Sequence, residues 1–241
     1  MANWDPRSTA AAAAASAGTT ADVRDAGLRS YMLSVYNTMA SGVLVTGVVA
    51  LLFAQSGLAA QVLNTPLRWL VMLAPLGFVM VLSFGINRLS TAAAQGIFWA
   101  FTVVMGLSLS SIFLVYTGQS IATTFFATAA AFAGLSLYGY TTKRDLSAFG
   151  TFLIMGVVGL LVAMVINIFV QSTALQMAIS FIGVLLFAGL TAYDTQKIKS
   201  MYFYVAGSDM VGKSVIMGAL TLYLDFINMF TFLLQFMGDR R

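Results

Sequence analysis

Two aspartates stand inside long apolar stretches of this sequence and are its strongest candidates for chemistry. Asp225 lies in LTLYLDFINMF (220–230), and Asp194 lies in GLTAYDTQKIK (189–199). A charged side chain at the centre of a membrane-spanning helix costs about 2.5–3.5 kcal/mol, so an acid kept there is a functional hypothesis by default. The chain has no histidine, cysteine or glutamate, so its eight aspartates must carry any acid chemistry.

Polar neighbours at helical spacing accompany both acids. Asn228 follows Asp225 by three residues and shares its helix face, and Thr191 and Lys197 flank Asp194 by three residues on either side. Each acid could instead have only a structural role. Asp194 could form a surface ion pair with Lys197, worth well under 1 kcal/mol. Asp225 could be a neutral, hydrogen-bonded carboxyl that joins helices.

A more specific chemistry follows if the two acids meet. Two adjacent carboxylates in a low dielectric do not both ionise cheaply, so they would share a proton and respond to pH without histidine. When ionised, the same oxygens would suit Ca²⁺, although two carboxylates are too few for a tight site. The acids lie level only if the seventh span begins near Leu220 or the sixth continues past Lys197.

Arg88 is the third candidate, at the end of the second apolar stretch in SFGINRLS (83–90). Its position alone favours an anchor at the membrane surface. The functional alternative is a latch, in which the guanidinium holds an ionised Asp194 and is released when that acid is protonated.

The composition of the chain predicts the kind of helices that must position these residues. The chain of 241 residues is 60% hydrophobic and 8% charged, too apolar for one soluble core. Seven stretches are long enough to cross a bilayer as helices. The sequence therefore predicts an all-α polytopic membrane protein. The predicted spans are 36–53, 67–86, 92–116, 121–140, 149–170, 175–193 and 215–237.

The absence of histidine and cysteine excludes histidine-ligated metal sites and serine or cysteine triads, and the scattered positive charges do not predict nucleic-acid binding. Tyr193-Asp194 matches half of the motif pair of intramembrane aspartyl proteases, but TLYLD (221–225) lacks the glycines of the other half. We therefore predict that the protein is not an enzyme.

Charge between the spans predicts the orientation. Nine of the twelve basic residues fall on the side of the N-terminus, which the positive-inside rule places in the cytoplasm. Seven crossings then put the C-terminus outside, unless the seventh helix fails to cross fully, as the pair Arg240 and Arg241 would suggest. The Ala-rich residues 1–30 are predicted to be a mobile cytoplasmic tail, and residues 31–241 the membrane domain.

Four motifs resemble the bacterial branch of the Bax inhibitor-1 family. They are LSLYGYTTKRDLSAFG (135–150), GLTAYDTQKIK (189–199), YLDFIN (223–228) and RLS (88–90). The resemblance covers about Leu28 to Met237 and implies a seven-helix bundle with the last helix at its centre, in a bacterial inner membrane.

The resemblance also implies an activity, which is a pH-sensitive Ca²⁺ leak. Its implied sensor is the pair Asp194 and Asp225, with Arg88 as the latch. Asn228 and Thr191 are possible supporting residues because of their spacing from the two acids. No tightly bound cofactor is expected. Calcium would be a permeant or weakly bound ion, and the partners would be the bilayer, protons and, in one alternative, another membrane protein.

Two other classes stay open. One membrane carboxylate that loads and unloads a proton is enough for a proton-coupled transporter. The chain could instead be a non-conducting interaction protein, for example a modulator of a membrane protease, in which the tail and the 196–213 segment would matter more than the aspartates.

Overall fold

The fold is built from helices throughout the part of the chain that the structure describes. The computed structural model describes the backbone of residues 6–241 and the side chains from Arg24 onward. The helices are α1 (Pro6–Gln55), α2 (Leu58–Leu63), α3 (Leu67–Gly85), α4 (Thr91–Leu109), α5 (Ser111–Val115), α6 (Gly118–Thr141), α7 (Ser147–Val170), α8 (Thr173–Val205) and α9 (Met210–Met237).

Seven of these segments are long and apolar enough to cross a membrane. They are α1 from Arg24 onward, α3, α4 together with α5, α6, α7, α8 and α9. The prediction of an all-α protein with seven spans is therefore confirmed. The short α2 lies in the first link, and α5 continues α4 after a break at Ser110, whose hydroxyl donates to the carbonyl of Leu107 at 2.7 Å.

Serine and threonine caps begin three of the helices. The hydroxyl of Ser90 accepts the backbone N–H of Ala93 at the start of α4. Thr117 caps α6 and Ser172 caps α8 in the same way. These side chains satisfy amide groups that the first turn of a helix leaves without a partner, so the helix starts follow directly from the local sequence.

Two helices are longer than the apolar pattern predicts. The predicted boundary between tail and membrane domain after residue 30 falls inside α1, and Leu28 is buried. Residues 1–5 of the predicted tail lie outside the described residues, and its mobility stays a prediction. The sixth span continues twelve residues past Tyr193, to Val205, because its end is amphipathic, with Thr195 and Ile198 buried and Lys197 exposed.

Helix α9 is the most buried span. In its most apolar part 67% of the residues are buried, against 33% or less in the other spans. It packs against α8 most extensively and also against α1, α6 and α4, whereas α3 packs mainly on α4 and α7 on α8. Four of the other six spans therefore enclose it, and the expected position at the centre of all six stays a prediction.

Helix α9 also passes from one end of the bundle to the other. At its start, Lys213 Nζ lies 3.5 Å from the carbonyl oxygen of Asn87, in the link between α3 and α4; we call this the Lys213 end. Beyond its last turn, the backbone N–H of Arg241 donates to the carbonyl of Val115 at 2.9 Å; we call this the Tyr116 end. Helix α9 is therefore long enough to reach both ends of the bundle, and the side of the membrane on which the C-terminus lies stays a prediction.

Glycines allow α8 to approach its neighbours closely. A Cβ atom on Gly139 of α6 would overlap the carbonyl oxygen of Ala192 on α8, and one on Gly183 of α8 would lie 2.6 Å from the ring of Phe232 on α9. Small residues at helix crossings are the usual means of close packing in a bilayer. Gly139 brings the segment around Asp194 against α6, and Gly183 brings an earlier part of α8 against α9.

Candidate functional site

The two aspartates lie on facing helices, with their carboxyl groups within hydrogen-bonding reach of each other. Asp194 is 9% exposed and Asp225 is 4% exposed. The alternative in which span six continues past Lys197 is the one observed, because α8 carries Asp194 well inside the bundle. A carboxylate only accepts hydrogen bonds, so a bond between these two groups requires a proton on one of them.

The environment of Asp225 contains little that would stabilise an ionised carboxylate. Within the described part of the chain, its Oδ2 atom is buried and has no N–H or O–H partner. An unpaired buried charge is strongly unfavourable, whereas a proton held between two carboxyls satisfies both. The sharing of a proton between Asp194 and Asp225 stays a prediction.

Residues that follow Asp194 tie α8 to its surroundings. Thr195 donates to Ser136 Oγ of α6 at 3.5 Å. Gln196 binds the carbonyl of Arg144 at 2.8 Å and the N–H of Leu146 at 2.9 Å, and so holds the link between α6 and α7. Sequence reasoning missed these partners, and the only signal was the run of polar residues after Tyr193.

Basic residues approach the pair unequally. Lys197, one turn beyond Asp194, is close enough for its charge to act on that carboxyl, and its Nζ lies 5.9 Å from the centre of the Tyr193 ring. The Arg88 side chain is exposed, and among the described residues it makes no ion pair with Asp194. The link that carries Arg88 adjoins Lys213, twelve residues and about 18 Å before Asp225 along α9. The latch contact is thus not formed here, and the role of Arg88 stays a prediction.

The two predicted supporting residues bind their own helices. The hydroxyl of Thr191 is buried and donates to the carbonyl of Phe187 at 2.8 Å. The amide of Asn228 donates to the carbonyl of Leu224 at 2.8 Å. Neither donates to an aspartate in this structure, and their supporting role stays a prediction.

An aromatic layer lies beyond the pair on the way to the Tyr116 end. Phe232 is buried two turns beyond Asp225, and its ring stacks on that of Phe187 at 5.9 Å between centres. Phe226, next to Asp225, is also buried, between Phe125 and Phe132 at 5.6 Å each. The contact between Phe187 and Phe232 thus packs α8 against α9 at this level.

A second polar group occupies the Tyr116 end. Asn167 of α7 donates to Gln176 of α8 at 3.0 Å, and Gln176 donates to Gln235 of α9 at 2.9 Å. Gln235 is ten residues beyond Asp225, about 15 Å along α9. The sequence gives no signal for this group of amides, because each stands alone near a helix end and only the packing joins them.

Calcium ligands at the aspartate pair are few. Within the described residues no three acidic side chains lie close enough to form a metal cluster. Two carboxylates with a buried, aromatic surround do not offer the six to eight oxygens that a tightly bound Ca²⁺ requires. The weak calcium site at Asp194 and Asp225 stays a prediction.

Seven apolar spans around a buried acid pair define a polytopic membrane protein whose candidate site lies inside the helix bundle. The model of the family described as "Inhibitor of apoptosis-promoting Bax1" matches residues 28–241. The chain belongs to this Bax inhibitor-1 family, which confirms the resemblance seen in its motifs.

Relatives from distant bacteria share nearly the whole chain. An uncharacterised protein of Rickettsia prowazekii is 48% identical over 219 residues, which cover 90% of this chain and 92% of the relative. Inner membrane protein YbhL of Escherichia coli is 47% identical over 220 residues, covering 90% and 94%. An uncharacterised protein of Caulobacter vibrioides is 48% identical over 231 residues, covering 90% and 91%.

Proposed function

We propose that the chain is a passive, pH-gated Ca²⁺ leak of a bacterial inner membrane. In its closed state Asp194 and Asp225 share one proton and hold α8 against α9. Addition of a second proton removes the remaining negative charge and releases the basic side chains that this charge attracts. The helices then repack and open a path for Ca²⁺, which is the transported ion and not a cofactor.

The observation that carries this proposal is the contact between two buried carboxyl groups on facing helices. Such a pair changes its charge with pH inside the bundle, where a change of charge acts strongly on packing. The stacked rings of Phe187 and Phe232 supply a barrier that such repacking would have to open. The name of the Escherichia coli relative supports the inner membrane as the location.

The first test is Ca²⁺ flux into liposomes that contain the purified protein, measured at equal pH on both sides from pH 5 to pH 8. We expect flux that rises as the pH falls, because protonation neutralises the pair. Protein-free liposomes correct for the background. A flux that needs a proton gradient and saturates with Ca²⁺ would instead indicate a coupled transporter, and no flux at any pH would favour a non-conducting interaction protein.

A second prediction separates the two basic residues. Lys197 is the nearer to Asp194 in the closed structure, whereas the family resemblance names Arg88. If Arg88 latches Asp194 in another closed conformation, Arg88→Gln raises the flux at pH 8 toward the level at pH 5. If the charge of Lys197 is the restraint, Lys197→Gln does so and Arg88→Gln does not. No change in either variant would contradict restraint by a basic side chain.

A further inference from the structure

A long apolar groove runs between α1 and α6 on the membrane-facing side of the bundle. The two helices do not pack closely against each other, and the space between them is a cavity of about 850 Å³. Its walls are apolar side chains of both helices, such as Met32 and Ala40 on α1 and Ala133 on α6. Phe226 of α9 forms the floor. The groove is thus a preformed site with an apolar lining.

The dimensions of the groove limit what can fill it. Along α1 the lining extends over sixteen residues, from Arg29 to Leu44, which is about 22 Å. One leaflet of the hydrocarbon core is about 15 Å thick, so the groove is as long as an acyl chain needs. This length fits the acyl chains of a lipid.

The groove is apolar along its length and basic at one end. Arg29 lines the groove at the Lys213 end, where its side chain is exposed. Tyr140 lines the same end, and Lys199 Nζ lies 4.7 Å from the centre of its ring while binding its carbonyl at 2.7 Å. Two positive charges at the membrane surface, above an apolar slot, complement a phosphate joined to acyl chains.

A second cavity lies next to the opposite end of the groove. This cavity of about 310 Å³ continues toward the Tyr116 end and shares Val43, Phe125 and Phe226 with the first. The two cavities therefore adjoin at these three side chains.

We infer that the groove between α1 and α6 is a binding site for one phospholipid, with its acyl chains against Phe226 and its phosphate at Arg29. This assignment does not rest on the proposed ion flux. The lipid would fill the groove between α1 and α6, and it would contact Phe226, which is next to Asp225.

The test is native mass spectrometry of the full-length protein in detergent with added phosphatidylglycerol. We expect wild type to retain one lipid. Ala133→Trp, which fills the groove, should lower the retained fraction at least fivefold. Ala127→Trp is the matched control, because Ala127 lies on the same helix, is exposed and does not line the groove. Equal melting temperatures of the two variants would show that both are folded.

A second pair of variants tests the contact between Arg29 and the lipid phosphate. Arg29→Gln should reduce retention several-fold, whereas Arg24→Gln should not, because Arg24 lies over the ring of Phe203 and not in the groove. Equal retention by the two tryptophan variants would overturn the groove as the site. Equal effects of the two glutamine variants would overturn the assignment of the phosphate. A retained mass equal to a second copy of the chain would replace the lipid by a dimer.

Discussion

Asp225→Asn is expected to move the pH at which the Ca²⁺ flux rises, and Asp225→Asn combined with Asp194→Asn is expected to abolish the pH dependence between pH 5 and pH 8. Asparagine has nearly the same shape as aspartate but does not titrate, and its amide N–H can donate to the facing side chain. The single variant keeps a hydrogen bond between α8 and α9 and loses the shared proton, but Asp194 can still be protonated. The double variant has no acid left in the pair, so its flux should not change with pH in the same liposome assay.

The control for these variants is Asp145→Asn, in the link between α6 and α7. The pKa of Asp145 lies below its usual range because the Ser147 hydroxyl and then its backbone N–H donate hydrogen bonds to the carboxylate. Asp145 is therefore ionised throughout pH 5–8, and its replacement should leave the pH profile unchanged. If Asp225→Asn left both the flux and the pH at which it rises unchanged, the proposed sensor would be wrong.

Gly139→Ala is expected to have the largest effect on stability. Its new methyl group would overlap the carbonyl oxygen of Ala192, and a backbone atom inside two packed helices has no side-chain rotamer with which to move away. Overpacking of this kind costs about 1–3 kcal/mol, which for a chain of this length lowers the melting temperature by about 2–10 °C. Thermal unfolding of the purified protein in detergent measures the change.

Gly134→Ala on the same helix is the matched comparison. A Cβ atom there would have no neighbour within 4 Å, and alanine favours a helix over glycine. The melting temperature should therefore stay the same or rise. An equal loss in both variants would show that the helix itself, and not its contact with α8, needs glycine. Because α8 carries Asp194, Gly139→Ala should also disturb the pH response of the flux.

Much of the fold could be predicted because it depends on local properties of the chain. A span needs a run of apolar residues long enough to cross the bilayer, and this run is visible without any neighbour. The predicted helix ends differ from the observed ones where the chain leaves the hydrocarbon core of the membrane. At the end of α8, DTQKIKSMYFYV (194–205) is too polar to be read as a span, but packing against α6 and α9 keeps it helical.

The candidate site was only partly accessible to the same reasoning. The cost of an acid in a membrane makes Asp225 conspicuous, and family motifs add Asp194 and Arg88. Gln196 and the amides Gln176 and Gln235 were missed, since a single polar residue near a helix end is ordinary in any sequence. Gln196 binds the link between α6 and α7, 50 or more residues earlier in the chain, and Gln176 binds Gln235, 59 residues later.

By itself the sequence determined a seven-span helical membrane protein with an acid in its last span, because hydropathy and the cost of a buried charge act residue by residue. Only the tertiary structure decided that Asp194 and Asp225 face each other, that the link carrying Arg88 adjoins Lys213 at the start of α9, and that α1 and α6 leave a groove. These features depend on the rotation and length of each helix relative to its neighbours. Close contacts such as Gly139 against Ala192 set that arrangement, and no single segment of sequence contains both sides of such a contact.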